Sequence, residues 1–562
     1  MSDAKPQLTQ KGAEEQLKAK MQSLKIKELE KRAELKAAGL GMPYINLTDF
    51  PIPPESLIVI PKDTCIKEKV ICFYRDEKSV RVGIVDPDSP KIEEIIQQIK
   101  DEYFVEVLKY VISQSSLEHA LKIYALMPEY KKTIRGGVAI TEEEIKKFGT
   151  VFKNIRDFEK KVKITPVTDI ISLLIAGALD SESSDIHIES EEDKIIVRYR
   201  IDGVLHDIAA LAKEVQKKIT SRIKIMSGLK INITNQPQDG RFTIYLTNDS
   251  LDVRVSTLPT AFGESIVLRL LRSTKLGIKF EDIGLIGNAF EKLLTELKKP
   301  NGMIITTGPT GSGKTTTMYA SLIKLNDAET KIITIEDPIE YRIEGINQSQ
   351  VEPSKGYTFA NGLRSILRQD PDVVLVGEIR DLETAEIAIN AALTGHLVLS
   401  TIHTNSAAGA VPRFLAMGAK SFLLAPALNA VIGQRLVRRI CPKCVMEDKP
   451  DEATYKKVKE LLEKIPPDVL AQYKGADVNN LKFIKGNGCD YCHGFGYKGR
   501  IGIFEIFAMS KEIEKIILSG KISEYDMQDA ALAGGMITMI QDGLLKALMG
   551  FTTIEEIFRV AK

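Results

Sequence analysis

The segment Met303–Thr316, MIITTGPTGSGKTT, limits what this chain can fold into more than any other. It sets Gly308-x4-Gly313-Lys314-Thr315 between an apolar run, MIIT, and a helix-compatible run, TTTMYASLIKL. That order predicts a strand, a glycine-rich loop and a helix, the context in which a phosphate-binding loop works. The glycines let backbone N–H groups converge on phosphate oxygens, and the helix N-terminus adds positive potential. The expected nucleotide-binding set is therefore Gly308, Pro309, Thr310, Gly311, Ser312, Gly313, Lys314, Thr315 and Thr316. Lys314 would meet the β- and γ-phosphates of ATP, and Thr315 would hold Mg²⁺.

Such a loop needs a sheet to carry it. From Phe280 onward, apolar strand-like runs alternate with helical ones, the pattern of a parallel α/β sheet. The run DVVLVGE ends in Glu378, which fits a carboxylate acting on Mg²⁺ through water. The run IITIEDPIEYRI delivers Glu336, Asp337 and Glu340 to one edge. A water attacking a γ-phosphate needs a carboxylate to orient it and accept charge, and Glu336, Glu340 and Glu378 all qualify by type. His396 and His403 flank the apolar run LVLSTI and read equally as γ-phosphate sensors or as satisfied core histidines.

Upstream, residues 164–275 read as an α+β unit. A helix, VTDIISLLIAGALD, precedes strands SDIHIES, KIIVRYRID and VLHDI; a further helix and strands RFTIYL, LDVRVST and ESIVLRLL follow. Residues 41–125 read as a smaller α+β unit, with a proline cluster, strand-like VICFYR and VRVGIVD, and helical IEEIIQQIKDEY. Residues 126–163, charged and irregular in period, are expected as a linker, and residues 1–40 as a charged, solvated helical arm. Residues 276–562 hold the phosphate loop, a cysteine-bearing insert at 438–500 and a helical tail.

Cys441-x2-Cys444 and Cys489-x2-Cys492 are two hooks that can bring four thiolates around Zn²⁺. Four protein ligands leave no open coordination position, so such a zinc would be structural. Cys65 and Cys72 read as packing residues, and six cysteines in 562 residues are no disulfide framework. Lys+Arg (77) and Asp+Glu (76) nearly cancel and tryptophan is absent, which argues against a dedicated nucleic-acid binder. The longest apolar stretch, Ser421–Gly433, is too short to span a bilayer. The first residues, MSDAKPQLTQKG, lack the apolar core of a signal peptide, so a cytoplasmic location is expected.

In order and spacing, GPTGSGKTT, TIEDPIEY, DPDVVLVGEIRD and TGHLVLSTIHTN resemble the Walker A, Asp, Walker B and His boxes of the type II/IV secretion ATPase superfamily. SDIHIE, VRYRIDG, QPQDGR and DVRVSTLPT upstream, and RRICPKC and CDYCHGFGYKGRIGIFEI downstream, extend the resemblance. It is nearest to the type IV pilus assembly (extension) ATPases and their type II secretion counterparts. The resemblance implies an α/β fold: a RecA-like motor domain (276–562) with a zinc-binding insert, preceded by a PAS-like domain (164–275) and a small N-terminal α+β domain (41–125). It implies a homohexamer that hydrolyses ATP. It also implies Glu340 as general base, Glu378 supporting Mg²⁺, His396 and His403 as nucleotide sensors, and Arg254 and Arg269 reaching the γ-phosphate. Arg198 and Arg200 would serve subunit contacts.

The function implied is pilin polymerisation at the inner face of the membrane, with a platform protein and a cytoplasmic adaptor as partners. Type II secretion, by pseudopilus assembly and protein export, is the near alternative, and a DNA-translocating ATPase is a distant one. Retraction motors of the family lack the N-terminal unit and the cysteine insert. The Arg-Leu-Gly segment that opens the cyclic-di-GMP motif of some relatives does not occur in the N-terminal unit.

Overall fold

The computed structural model describes residues 10–48, 50–57, 59–76, 79–103, 105–126, 137–138, 155–245, 250–272, 279–520 and 522–561. The chain divides into two compact units, Met1–Arg135 and Gly136–Lys562.

The first unit is built on strands β1 (Val70–Arg75), β2 (Ser79–Ile84) and β3 (Glu106–Val111). β1 and β2 are antiparallel, and β2 and β3 are parallel. A parallel pair needs a crossover, and the helix Pro90–Tyr103 supplies it, burying Ile92, Ile96 and Ile99. Cys65 and Cys72 are fully buried, and burial pushes both thiols up to about 12, as befits packing residues.

The charged helix Gln10–Leu40 matches the expected solvated arm only in its earlier turns, where Met21 and Leu24 are exposed. Further along, Ala33 and Ala37 are buried, and the Glu30 carboxylate accepts hydrogen bonds from Tyr44 (2.6 Å), Ser115 (2.9 Å) and Ser116 (3.0 Å). The docking face is made of alanines and one paired acid, so it gives no apolar stripe in the sequence.

The second unit holds two large sheets. The first contains β4 (Gly137–Val138), β5 (Asp185–Ser190), β6 (Lys194–Ile201), β7 (Val204–Ala212), β8 (Gln238–Tyr245), β9 (Ser250–Thr260) and β10 (Gly263–Arg272), in the order β4-β8-β9-β10-β5-β6-β7. Strict alternation sets its two faces: in β6, Ile195, Val197, Tyr199 and Ile201 are buried, while Arg198 and Arg200 turn the other way. The helix Val167–Asp180 covers the apolar face with Ile171, Leu174 and Ile175. Residues expected as linker are partly structured. The helix Ile155–Ile164 buries Phe158 and Val162, one turn apart, in this same core. Residues 127–136 and 139–154 of the expected linker lie outside the described residues.

The second large sheet contains β11 (Gly302–Thr307), β12 (Ile332–Glu336), β13 (Asn347–Gln350), β14 (Val373–Val376), β15 (Leu397–Ile402) and β16 (Leu428–Ile440). A small ribbon, β17 (Val445–Asp448) and β18 (Phe483–Gly486), intervenes before β19 (Tyr497–Ala508) returns to the sheet. The order is β13-β12-β14-β15-β11-β16-β19. Every pair is parallel up to β16, as expected, and β19 closes the edge antiparallel to β16. All residues of β11, β14 and β15 are buried, as strands covered on both faces must be.

The helical tail seals one side of this sheet around a buried ion pair. Lys546 Nζ donates to Asp542 Oδ2 (2.5 Å) and to the Gly502 carbonyl (2.8 Å). The other Asp542 oxygen accepts from the Tyr473 hydroxyl (2.8 Å). Burial pulls the Lys546 amine below its ordinary pKa. Asp542→Ala strands that amine without a counter-charge. Its expected cost is about 3–5 kcal/mol, read as a lower denaturant midpoint for the transition of the second unit.

Candidate active site

The phosphate loop follows β11 directly. Its backbone needs positive φ at Gly308 (147°), Gly311 (79°) and Gly313 (89°). A Cβ at Gly308 would also lie 2.5 Å from the Gln434 carbonyl oxygen, so β16 fixes the loop from below. Lys314 opens the helix Lys314–Leu325 and folds back over the loop, its Nζ donating to the carbonyls of Gly308 (2.9 Å) and Pro309 (3.2 Å). Burial lowers the Lys314 pKa; Glu378 opposes that shift and Arg435 adds to it, so both side chains sit within electrostatic reach of the ammonium. Thr315 is exposed at the helix start.

Parallel register then decides which predicted residues share this edge. Thr307 is level with Ile402, so His403 emerges beside the phosphate loop. Its Nε2 lies 3.3 Å from Glu378 Oε2, and Arg380 holds Glu378 Oε1 at 2.6 Å. The Thr404 backbone N–H donates to Thr307 Oγ1 (3.0 Å), tying the two strand ends together. His396 is a correction. It precedes β15, the Gly302 N–H donates to its carbonyl (3.1 Å), and its Nδ1 faces the Ala391 carbonyl (3.0 Å). The strand between the two histidines is roughly 20 Å long. His396 therefore stands at the far end of the sheet from the loop, because the apolar run between them is one straight strand.

Glu336 and Glu340, equivalent by residue type, differ sharply in surroundings. Glu336 ends β12 and is buried; its Oε2 accepts from the Tyr319 hydroxyl, and its Oε1 accepts from Thr334 Oγ1 (2.5 Å) and Gln348 Nε2 (3.2 Å). Glu340 lies on the following loop with a partly exposed carboxylate, 3.6 Å from Arg254 Nη2. Arg254 thus reaches the acidic edge from β9. Arg269 does not: its Nε pairs with Asp185 Oδ1 (2.9 Å), while Arg200 Nε lies 3.4 Å from Asp185 Oδ2. The register sets Arg241, Arg254, Arg269, Asp185 and Arg200 directly opposite one another across β8, β9, β10, β5 and β6. Arg198 pairs with Glu189.

Sequence reasoning missed Asp185, Arg380, Tyr319 and Gln348. Asp185 lies in a strand already singled out, SDIHIES, but its partners are set by register. Tyr319 and Gln348 carry no motif at all.

The cysteine centre forms where β16 ends and β19 begins. The four Sγ atoms of Cys441, Cys444, Cys489 and Cys492 lie within 4.8 Å of one another. Three of the separations are 3.8 Å: Cys441 to Cys489, Cys444 to Cys492, and Cys489 to Cys492. A tetrahedral zinc with bonds of about 2.3 Å sets sulfur–sulfur edges of about 3.8 Å, so the donor set fits that ion. Burial pushes the Cys441 thiol up to about 12. At Cys492 burial acts the same way, but the N–H groups of Cys489 and Gly496, each 3.2 Å from Sγ, outweigh it and bring the thiol down to about 7. Just beyond, Phe495 packs on His206 (4.3 Å between centroids) and the Gly499 N–H donates to Asp202 (2.9 Å), bracing the centre against the arginine-bearing sheet.

Residues 160–559 match the family described as Type II/IV secretion system protein, and residues 40–127 match the MshEN domain. The type IV pilus assembly ATPase PilB of Myxococcus xanthus is 37% identical over 524 residues, 92% of this chain and 88% of its own length. Type II secretion system protein E of Dickeya dadantii is 46% identical over 398 residues, 71% of this chain and 76% of its own. The X-ray structure of the ATPase DotB of Legionella pneumophila superposes with a TM-score of 0.50 at 20% identity, covering 71% of this chain and 96% of that one, a likeness of fold.

Proposed function

The chain belongs to the type II/IV secretion system protein family, and from that premise we propose that it is a hexameric motor that powers type IV pilus assembly by hydrolysing ATP. The observation that carries this reading is the complete phosphate loop, closing β11 and opening the helix Lys314–Leu325, with Lys314 Nζ folded over the loop carbonyls. The pilus relative from Myxococcus xanthus aligns over 92% of the chain, against 71% for the secretion relative from Dickeya dadantii, which favours pilus duty. The higher identity of the latter, 46%, supports type II secretion as the second reading.

In this reading Mg·ATP would bind with its terminal phosphates on the loop amides and on Lys314, and Thr315 and Glu378 would hold Mg²⁺. Glu340 takes the proton of the attacking water. Arg254, released from Glu340, turns to the γ-phosphate and neutralises charge spread over its oxygens. Arg269 follows only by leaving Asp185. His403 contacts the γ-phosphate from the strand end. The β4–β10 sheet acts as the PAS-like domain, the β11–β16 sheet with β19 as the RecA-like motor, and residues 41–125 dock on a membrane platform protein or adaptor. Among the described residues no helix is long and apolar enough to cross a membrane.

Deleting the gene in its host is expected to abolish surface pili and spare secreted enzymes. The reverse outcome supports the secretion reading, and loss of neither refutes both. The cysteine centre is expected to hold one zinc per chain by elemental analysis, and Cys444→Ser to lose it. Structural zinc contributes on the order of 10 kcal/mol to folding in zinc-finger peptides, so the segment between β16 and β19 should then become protease-sensitive.

A further inference from the structure

Two features of the Glu336 network point away from chemistry at Glu336 itself. First, both of its oxygens are occupied, by Tyr319, Thr334 and Gln348, and the residue is only 4% exposed. A buried carboxylate that already accepts three hydrogen bonds from its own chain is held in place and shielded from the solvent from which an attacking water would come. Second, its partners grip the loop that carries Glu340. Gln348 Nε2 also donates to the Tyr341 carbonyl (3.1 Å), and Gln348 Oε1 accepts from the Ile343 N–H (2.8 Å). The ring of Tyr341, next to Glu340, meets Tyr319 edge-on with centroids 4.7 Å apart. Burial and the Glu336 carboxylate raise the Tyr319 hydroxyl pKa, so that hydroxyl stays protonated and donates to Glu336.

Tyr319 also lies on the helix that Lys314 opens. One rigid element therefore carries the phosphate-binding ammonium at its start and this clamp about a turn later. We propose that Tyr319, Glu336 and Gln348 are positioning residues that hold Glu340 at a fixed distance from the phosphate loop. The inference rests on the reading of Glu340 as the base. It makes Glu336 an anchor, and it makes the phosphate-loop helix the part that sets the base in place.

The test uses the full chain with Tyr319→Phe, Gln348→Ala, Glu336→Gln and Glu340→Gln. It measures steady-state turnover of Mg·ATP, affinity for a non-hydrolysable ATP analogue with magnesium, and the melting temperature. Misplacing a catalytic group by about an ångström costs up to 10²-fold. Tyr319→Phe and Gln348→Ala should therefore lose on the order of ten- to a hundredfold in kcat, with analogue affinity within about twofold and melting little changed. Glu336→Gln, which keeps an oxygen acceptor and the side-chain shape, should turn over faster than Glu340→Gln. Parental kcat in Tyr319→Phe and Gln348→Ala beside an inactive Glu340→Gln overturns this inference alone. So does a loss of kcat matched by lost analogue affinity, or a Glu336→Gln as inactive as Glu340→Gln. Parental turnover in Glu340→Gln overturns the base assignment and this inference with it.

Discussion

Glu340→Gln is expected to bind Mg·ATP as the parent does and to hydrolyse it on the order of 10²–10⁴-fold more slowly, the span a positioned general base contributes. The amide keeps the size of the carboxylate but cannot accept the proton of the attacking water. Of the three acids that residue type alone leaves equivalent, Glu340 has the most exposed side chain, 40% against 13% for Glu378. Glu336 is buried with both oxygens taken, and Glu378 divides its oxygens between Arg380 and His403. Single-turnover hydrolysis, read beside analogue binding, separates chemistry from affinity. Parental turnover would move the base to Glu378 and leave Glu340 as the partner of Arg254.

Lys314→Ala is expected to lose both nucleotide affinity and turnover, the latter by on the order of 10²–10³-fold, as when a preorganised group facing developing charge is removed. The parent structure explains why the loss should be functional. Among the described residues the hydrogen bonds of Lys314 Nζ go to carbonyls of its own loop, those of Gly308 and Pro309, and these can turn to solvent when the ammonium is gone. Folding stability should therefore change by no more than about 1 kcal/mol. The loop's shape rests instead on its glycines and on β16, where the Gln434 carbonyl leaves no room for a side chain at Gly308. Calorimetry with Mg·ADP on folded protein checks the affinity. Parental affinity would mean that the phosphates bind elsewhere.

Local patterns made much of this protein legible. The glycine spacing of the phosphate loop, the acids at the end of β12 and just past β14, the alternation in β6 and the two cysteine hooks each depend on neighbours a few residues away, so the chain displays them directly. Two local readings went astray for related reasons. The helix Ile155–Ile164 hides its two core residues, Phe158 and Val162, in charged sequence. The arm's docking face is made of Ala33, Ala37 and Glu30, which no hydrophobicity pattern reveals.

The sequence by itself determined the glycine-rich loop, the strand and helix on either side of it, and that four thiols can meet around a metal. Only the tertiary structure decided which candidates share an edge. Strand direction sent His403 to the phosphate loop and His396 to the opposite end. Cross-strand register paired Arg269 with Asp185 and let Arg254 reach Glu340. Packing of the phosphate-loop helix on β12 turned Glu336 from a candidate base into a held one. The physical reason is common to all three. A residue's type fixes what it can do, but its burial and partners are set by strands and helices distant in sequence, and no local pattern encodes their register.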